Sequence, residues 1–175
     1  GGVKHFNDQL NYNLNPDFDG RSIVGDNPND ITDTKYGNNN VIGPDAEEAL
    51  HGTHVAGIVA QVRGNGLGGD GVANLVEIMA VRAVPNGDEY DKDIALGIRY
   101  AVDNGAKVIN GSFGKYFSPH KEWVQDALKY AAKKDVLVIF AAGNDAKDLD
   151  VHNKYPSDSY DGAPEISDNV LIIGA

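Results

Sequence analysis

The stretch VLVIFAAGN, residues 136–144, combines five consecutive large apolar residues with a short turn of small residues and an asparagine. A run that is apolar on both faces predicts a strand in the middle of a parallel sheet, covered by helices above and below. KVIN (residues 107–110) and VLII (residues 170–173) predict two further strands, and VEIMAVR (residues 76–82) predicts another.

Helical patterns lie between these strands. Apolar residues recur at helical spacing in 91–104, and residues 50–62 are small and apolar nearly all round, which predicts a buried helix. Ser118-Pro119 predicts the start of a further helix, with the serine as its cap and the proline at its first position. The alternation of strands and helices predicts right-handed crossovers and an α/β fold of three layers around a parallel sheet. The expected apolar face of the last helix is Trp123, Val124, Ala127, Leu128 and Ala131.

The first 50 residues differ in composition from the rest of the chain. Turn signals such as NPD, DNPND and YGNNN are dense there, and they predict loops, with only RSIVG (residues 21–25) as a short strand. We therefore expect one domain over residues 1–175, in which a loop-rich segment (1–50) precedes an alternating core (51–175).

Composition excludes several classes of protein. The formal net charge of −11 argues against a nucleic acid as partner, because such binding requires Lys and Arg to neutralise phosphates. No apolar run reaches the roughly 20 residues of a membrane-spanning helix, and residues 1–14 have no signal-peptide pattern. The lack of cysteine excludes disulfides, thiolate metal sites and a cysteine nucleophile.

Three polar motifs are candidates for chemistry: HGTHVAG (residues 51–57), NGSFG (residues 110–114) and AAGN (residues 141–144). The last two follow predicted strands directly, and ligands of open α/β sheets bind at the carboxyl ends of strands. The carboxamide of Asn144 could donate to a developing oxyanion, although Gly-Asn-Asp is also ordinary turn chemistry. The histidines are spaced i, i+3, without the glutamate and the i, i+4 spacing of a zinc protease motif. We expect His51 to face the cleft and His54 to be structural.

The segments HGTHVAGIVA, GVAN, VINGSFG and VIFAAGND, in this order, resemble the subtilisin-like serine proteases over roughly residues 20–175. The resemblance implies a subtilisin-like fold and hydrolysis of peptide or protein substrates through a Ser-His-Asp triad. It further implies that His51 is the general base and Asn144 the oxyanion-hole donor. The substrate cleft would be lined by Ser112, Phe113, Gly114 and Gly143, with phenylalanine at 113 where the family usually has leucine.

Two parts of the family pattern do not occur in this sequence. No aspartate before His51 ends an apolar strand and precedes Ser/Thr-Gly, and no Gly-Thr-Ser motif follows. We therefore expect a fold that is incomplete at both ends, a chain that is inactive alone, and exposed surfaces that favour a homo-oligomer. The alternatives are a pseudo-protease or peptide-binding module, and a metal hydrolase that uses His51 and His54.

The remaining expectations concern ligands and location. No cofactor is required, but in this family the loop GNGLGGDG (residues 64–71) can hold calcium, with Asn65 and Asp70 as oxygen donors; a plain flexible loop is the alternative. The acidic run at 88–91 precedes a predicted helix, and acidic residues there stabilise the positive end of the helix dipole. A further hypothesis is that this run favours basic residues in the substrate. The resemblance implies an extracellular or cell-envelope location in a bacterium.

Overall fold

The computed structural model describes residues 2–85 and 87–174. The chain forms two compact units, Gly1–Asn38 together with Ala83–Ala175, and Asn39–Arg82. None of the helices in the described ranges has the length and apolar character needed to cross a membrane. The helices are α1 (Gly2–Asp8), α2 (Gly20–Val24), α3 (Leu50–Ala60), α4 (Asp91–Asp103) and α5 (Lys121–Lys133), with a π-helix at Gln9–Asn13 and a 3₁₀ helix at Ala46–Glu48.

The first unit is built on a parallel sheet of three strands, β1 (Val108–Gly111), β2 (Leu137–Ala141) and β3 (Val170–Ile173), in that spatial order. Gly111 lies opposite Phe140, and Ala141 lies opposite Ile173. The three strands therefore end at the same edge of the sheet. The predicted strands at 107–110, 136–140 and 170–173 are confirmed to within one residue, and so is the α/β class with a parallel sheet.

Two helices close the core of this unit. α4 packs against α5, and α5 packs against β2. The predicted apolar face of α5 is confirmed, and Trp123 packs half-buried against it. The buried residues of the core are Ile94, Ala95, Ile98, Val102, Val124, Ala127, Leu128, Ala131, Val136, Val138, Phe140 and Val170.

The predicted start of α5 is wrong by two residues. The helix begins at Lys121, and Ser118 does not cap it. The Ser118 hydroxyl instead donates a hydrogen bond of 2.6 Å to the carboxylate of Asp91, which also accepts the His120 N–H at 2.9 Å. A charged acceptor makes a stronger hydrogen bond than a backbone group, so the serine turns toward the start of α4.

The N-terminal segment contains helices that the turn signals concealed. The predicted strand RSIVG is wrong, since these residues lie in α2 and at its end. The Asp19 carboxylate accepts the Arg21 N–H at 3.0 Å, and Gly25 ends the helix with φ of +83°. A capping aspartate and a left-handed glycine favour a helical turn here over an extended strand that has no partner.

A buried ion cluster joins this segment to α4. The fully buried carboxylate of Asp26 lies 2.5 Å from Arg21 Nη2 and 2.7 Å from Lys92 Nζ. Lys92 also donates to the Asn27 carbonyl at 2.8 Å, and Arg21 makes a forked contact with Asp93. Because buried charges are tolerated only when they are paired, this cluster determines how residues 21–27 lie against the start of α4.

The second unit contains α3, and its helix is confirmed between residues 50 and 60. The predicted burial of this helix is wrong: none of its residues is buried, and Leu50 is 72% exposed. Residues 76–82 form no strand, because no described segment of this unit makes a ladder of hydrogen bonds with them. β-branched residues favour a strand, but only a neighbouring strand supplies its hydrogen bonds.

Truncation of Leu128 tests the core. We expect Leu128→Ala to lower the free energy of unfolding by about 2–5 kcal/mol, because the fully buried side chain leaves a cavity between the helices and the sheet. Lys129→Ala, at the exposed neighbouring position, should change it by less than about 0.5 kcal/mol. Urea titration of both variants measures the difference, and equal effects would contradict this packing.

Neutralisation of Asp26 tests the ion cluster. Burial by itself raises the pKa of Asp26, but hydrogen bonds and charges from Arg21 and Lys92 outweigh it and hold the pKa below its ordinary value of 3.8. The cluster therefore stabilises the fold fully above the pKa of the unfolded state, and this contribution is lost as the pH falls through the lower folded-state pKa.

We expect Asp26→Asn to lower the free energy of unfolding at pH 7 by about 3–5 kcal/mol, since it leaves Lys92 buried without its main partner. The variant should also lose less stability than the wild type when both are titrated with urea from pH 5 to acid. Asp126→Asn, on the exposed side of α5, is the control. Parallel pH profiles for Asp26→Asn and the wild type would disprove the role of the cluster.

Candidate active site

A cleft of about 240 Å³ opens at the carboxyl ends of β1 and β2. Gly111 is the last residue of β1 and pairs with Phe140, so residues 112–114 and 141–145 leave the sheet side by side. Parallel strands place such segments at one edge of a sheet, where ligands are bound. The cleft is lined by Ser112, Phe113, Gly114, Tyr116, Ala141, Gly143, Asn144, Asp145 and Lys154.

Five of the six predicted site residues lie in this cleft, Ser112, Phe113 and Gly114 on one wall and Gly143 and Asn144 on the other. Asn144 is exposed, and its carboxamide makes no hydrogen bond with any residue in the described parts of the chain. An amide with an unengaged N–H group can donate to an oxygen atom of a bound ligand.

The first wall is held against β2 by aromatic packing. Phe113 meets Phe140 edge to face, with ring centroids 5.8 Å apart. Gly111 allows this approach, because a Cβ at that position would lie 2.5 Å from the Phe140 ring. The Ser112 hydroxyl accepts a hydrogen bond of 2.9 Å from the Asn110 amide. The wall is therefore positioned by contacts that do not involve a ligand.

Lys154 forms the floor of the cleft, and sequence reasoning did not identify it. An antiparallel bridge between Lys115 and Tyr155 brings this distant loop under the first wall, with N–H to carbonyl distances of 2.9 and 2.8 Å. The Lys154 amine donates to the Phe113 carbonyl at 3.2 Å. A single lysine in a polar loop matches no motif, so its location depends on the fold alone.

Glycine on both walls makes room for this lysine. A Cβ at Gly114 would lie 2.2 Å from the Lys154 amine, and a Cβ at Gly143 would lie 3.5 Å from its Cδ. The side chain thus extends from one wall to the other across the bottom of the cleft. Burial lowers the pKa of Lys154, and the charge of Glu89 acts in the opposite direction.

Exposed charged groups form the rim. The Tyr116 hydroxyl donates to the Asp145 carboxylate at 2.5 Å, and this hydrogen bond raises the pKa of Tyr116. The Lys147 ammonium lies 3.5 Å from the centroid of the Tyr116 ring. The rim therefore carries one negative and one positive group, and both are in contact with water.

Two members of the acidic run at 88–91 are internal. Asp91, in the first turn of α4, lies 2.9 Å from the Lys115 amine and supports the start of α5 through its contacts with Ser118 and His120. Glu89 is also buried, and loss of hydration raises its pKa. Neither carboxyl group is placed on the surface, where it could meet a basic substrate residue.

His51 and His54 are exposed residues of α3 in the second unit, whereas Asn144 belongs to the first. The prediction that His51 and Asn144 flank one groove stays a prediction.

In the described ranges no three His, Cys, Asp or Glu side chains are grouped to hold a metal ion. The Asp70 carboxylate accepts the Gly64 N–H and the Asn65 amide oxygen accepts the Leu67 N–H, each at 2.9 Å, so both oxygens hold their own loop. Calcium binding there stays a prediction.

Comparison with known proteins agrees with the resemblance. The model of the subtilase family matches residues 2–175. The chain is 37% identical over 161 residues to a thermophilic serine proteinase of Bacillus sp. (strain AK1), an alignment that covers 91% of this chain and 34% of that protein. It is 42% identical over 123 residues to the cell wall-associated protease of Bacillus subtilis (strain 168), with 70% of this chain and 13% of that protein covered.

A solved structure of a psychrophilic protease superimposes with a TM-score of 0.55 at 33% identity, over 70% of this chain and 38% of that one. The chain spans about a third or less of the length of the two curated relatives. The match of the family model over residues 2–175 and the likeness of the fold lead to one conclusion: the chain belongs to the subtilase family.

Proposed function

We propose that this chain is part of a serine endopeptidase, to which it contributes the general base His51 and the oxyanion donor Asn144. The observation that carries the proposal is the unengaged carboxamide of Asn144 in a cleft between the ends of two parallel strands. Membership of the subtilase family supports the same chemistry.

In the proposed reaction a serine hydroxyl attacks the carbonyl carbon of a peptide bond. His51 takes the hydroxyl proton and then delivers it to the leaving amine, so that an acyl-enzyme forms and is later hydrolysed. Asn144 donates its carboxamide N–H to the oxygen that becomes negative during the attack. A fixed donor lowers the barrier because it requires no rearrangement when the charge develops.

Peptide or protein substrates bind in this proposal as an added strand along residues 112–114. The packing of Phe113 on Phe140 supports it, because a preformed wall loses little entropy when a substrate binds.

A relative described as a cell wall-associated protease supports a location outside the cell or in its envelope. Large apolar side chains exposed in the second unit, such as Leu75 at 92%, support association with a further copy of the chain.

The triad aspartate and serine come from other parts of a longer protein in this proposal, because neither of their motifs occurs in these 175 residues. An imidazole without a serine hydroxyl to deprotonate cannot form an acyl-enzyme. The 175-residue chain by itself is therefore proposed to be inactive.

Replacement of Asn144 tests its role in the whole protein. We expect Asn144→Ala to lower kcat about 100- to 1,000-fold with little change in KM, the magnitude known for loss of such an asparagine in a subtilisin. Asn104→Ala, at the end of α4, should leave kcat unchanged. Hydrolysis of a chromogenic peptide measures both variants. A loss smaller than threefold for Asn144→Ala would show that its carboxamide does not stabilise the oxyanion.

A fluorophosphonate probe tests the origin of the nucleophile. The probe forms a bond only with an activated serine, so it should label the whole protein and leave the separate 175-residue chain unlabelled. Circular dichroism should be recorded on the separate chain to verify that it is folded. Labelling of the folded 175-residue chain would contradict the proposal, because one of its own serines would then be the nucleophile.

A further inference from the structure

Among the described residues of the first unit three lysines are buried, and one of these three makes no salt bridge with a carboxylate. Lys92 is 0% exposed and lies 2.7 Å from Asp26, and Lys115 is 6% exposed and lies 2.9 Å from Asp91. Lys154 is 7% exposed, yet no carboxylate of the described residues is in salt-bridge contact with it. A buried ammonium group without a salt-bridge partner is costly, and an ionisable group with a perturbed pKa in a cleft marks a candidate binding site.

The hydrogen bonding of Lys154 is also incomplete. An ammonium group has three donors, and the Phe113 carbonyl is its one hydrogen-bond partner among the described residues. The other donors are available to a group that enters the cleft, since Lys154 contributes to its lining. A carboxylate is the group that best satisfies both the charge and the free donors.

The nearby acidic groups do not replace such a ligand. Glu89 is buried, and desolvation raises its pKa; its charge raises the pKa of Lys154, but no salt-bridge contact joins these two described residues. Asp145 is exposed at the rim and accepts the Tyr116 hydroxyl, with Lys147 against the same ring. Water screens these rim charges far more than the buried amine below them.

The position of the lysine determines which substrate residue it can reach. Asn144 and Lys154 line the same cleft. If the Asn144 carboxamide binds the oxygen of the attacked carbonyl, the residue that carries this carbonyl occupies the cleft that Lys154 also lines. The lack of a side chain at Gly114 and Gly143 lets the lysine lie between the two walls, where it lines the cleft.

The geometry points to Lys154 as a specificity-determining residue that selects aspartate or glutamate at the substrate position that supplies the attacked carbonyl. This inference rests on the proposed function. It is an alternative to the hypothesis of a preference for basic residues, and it is favoured by the internal position of Glu89 and Asp91 and by the lysine that lines the cleft.

The test uses the whole protein and four peptides that differ only at this position, with glutamate, glutamine, leucine or lysine. Glutamate and glutamine have the same shape, so their ratio of kcat/KM isolates the effect of charge. We expect the wild type to favour glutamate over glutamine by about 10- to 100-fold, the range for a hydrogen bond to a charged group. A wild type that cuts the glutamine or lysine peptide as fast as the glutamate peptide overturns the inference.

Three variants identify the group responsible. Lys154→Met should reduce the glutamate-to-glutamine ratio to about one, and Lys154→Arg should retain the preference. Lys147→Met removes the same charge from the rim and is the matched control, with an expected change in the ratio below twofold. Equal changes in Lys147→Met and Lys154→Met would attribute the preference to general electrostatics and overturn the inference. A Lys154→Met variant with an unchanged ratio would overturn it as well.

Binding separates this inference from the proposed function. If no peptide is cut and the fluorophosphonate does not label the whole protein, the proposed hydrolysis fails. Fluorescence anisotropy of the same peptides then decides the inference: tighter binding of the glutamate peptide that is lost in Lys154→Met supports an acid-selective cleft, and equal binding of all four peptides rejects it.

Discussion

Parallel pairing of β1 with β2, in the register that sets Gly111 opposite Phe140, is the constraint on which the site depends. This pairing makes the two strands end together, so the segments that follow them become the two walls of one cleft. A shift of one residue would move Phe140 away from Gly111 and would remove the contact between Phe140 and Phe113. The aromatic packing and the position of Asn144 therefore both follow from this register of β1 and β2.

Buried charge has two different uses in this unit. Around Asp26 and Lys92 the charges satisfy each other, and their hydrogen bonds join residues 21–27 to α4. Lys115 and Asp91 form a second such pair, which supports the turn before α5. Under the cleft, the bridge to residue 155 brings in Lys154, which makes no salt bridge with any carboxylate of the described residues. The first two arrangements satisfy their own charges, whereas the third leaves a cation at the floor of a space that a ligand can enter.

The elements that were predicted well are those whose apolar pattern is complete within a few neighbouring residues. β2 is apolar on both faces, and the apolar stripe of α5 repeats every three or four residues, so each pattern permits one interpretation. Ser118 and residues 21–25 were misassigned for a different reason. Each has a local preference that a specific partner overrides, namely the carboxylate of Asp91 for the serine and the Asp19 cap for α2. Residues 76–82 have the composition of a strand, but composition cannot supply a neighbouring strand.

The sequence by itself determined the α/β class, the order of the three strands along the chain, and the motifs at the ends of β1 and β2, because apolar periodicity and turn chemistry act over a few neighbouring residues. The resemblance also led us to expect that these two motifs share a cleft, but only the tertiary structure decided that Lys154 forms its floor. The reason is physical: the contacts that place Lys154 join residues about 40 positions apart in the chain, and the cost of its buried charge arises only when the fold excludes water from it.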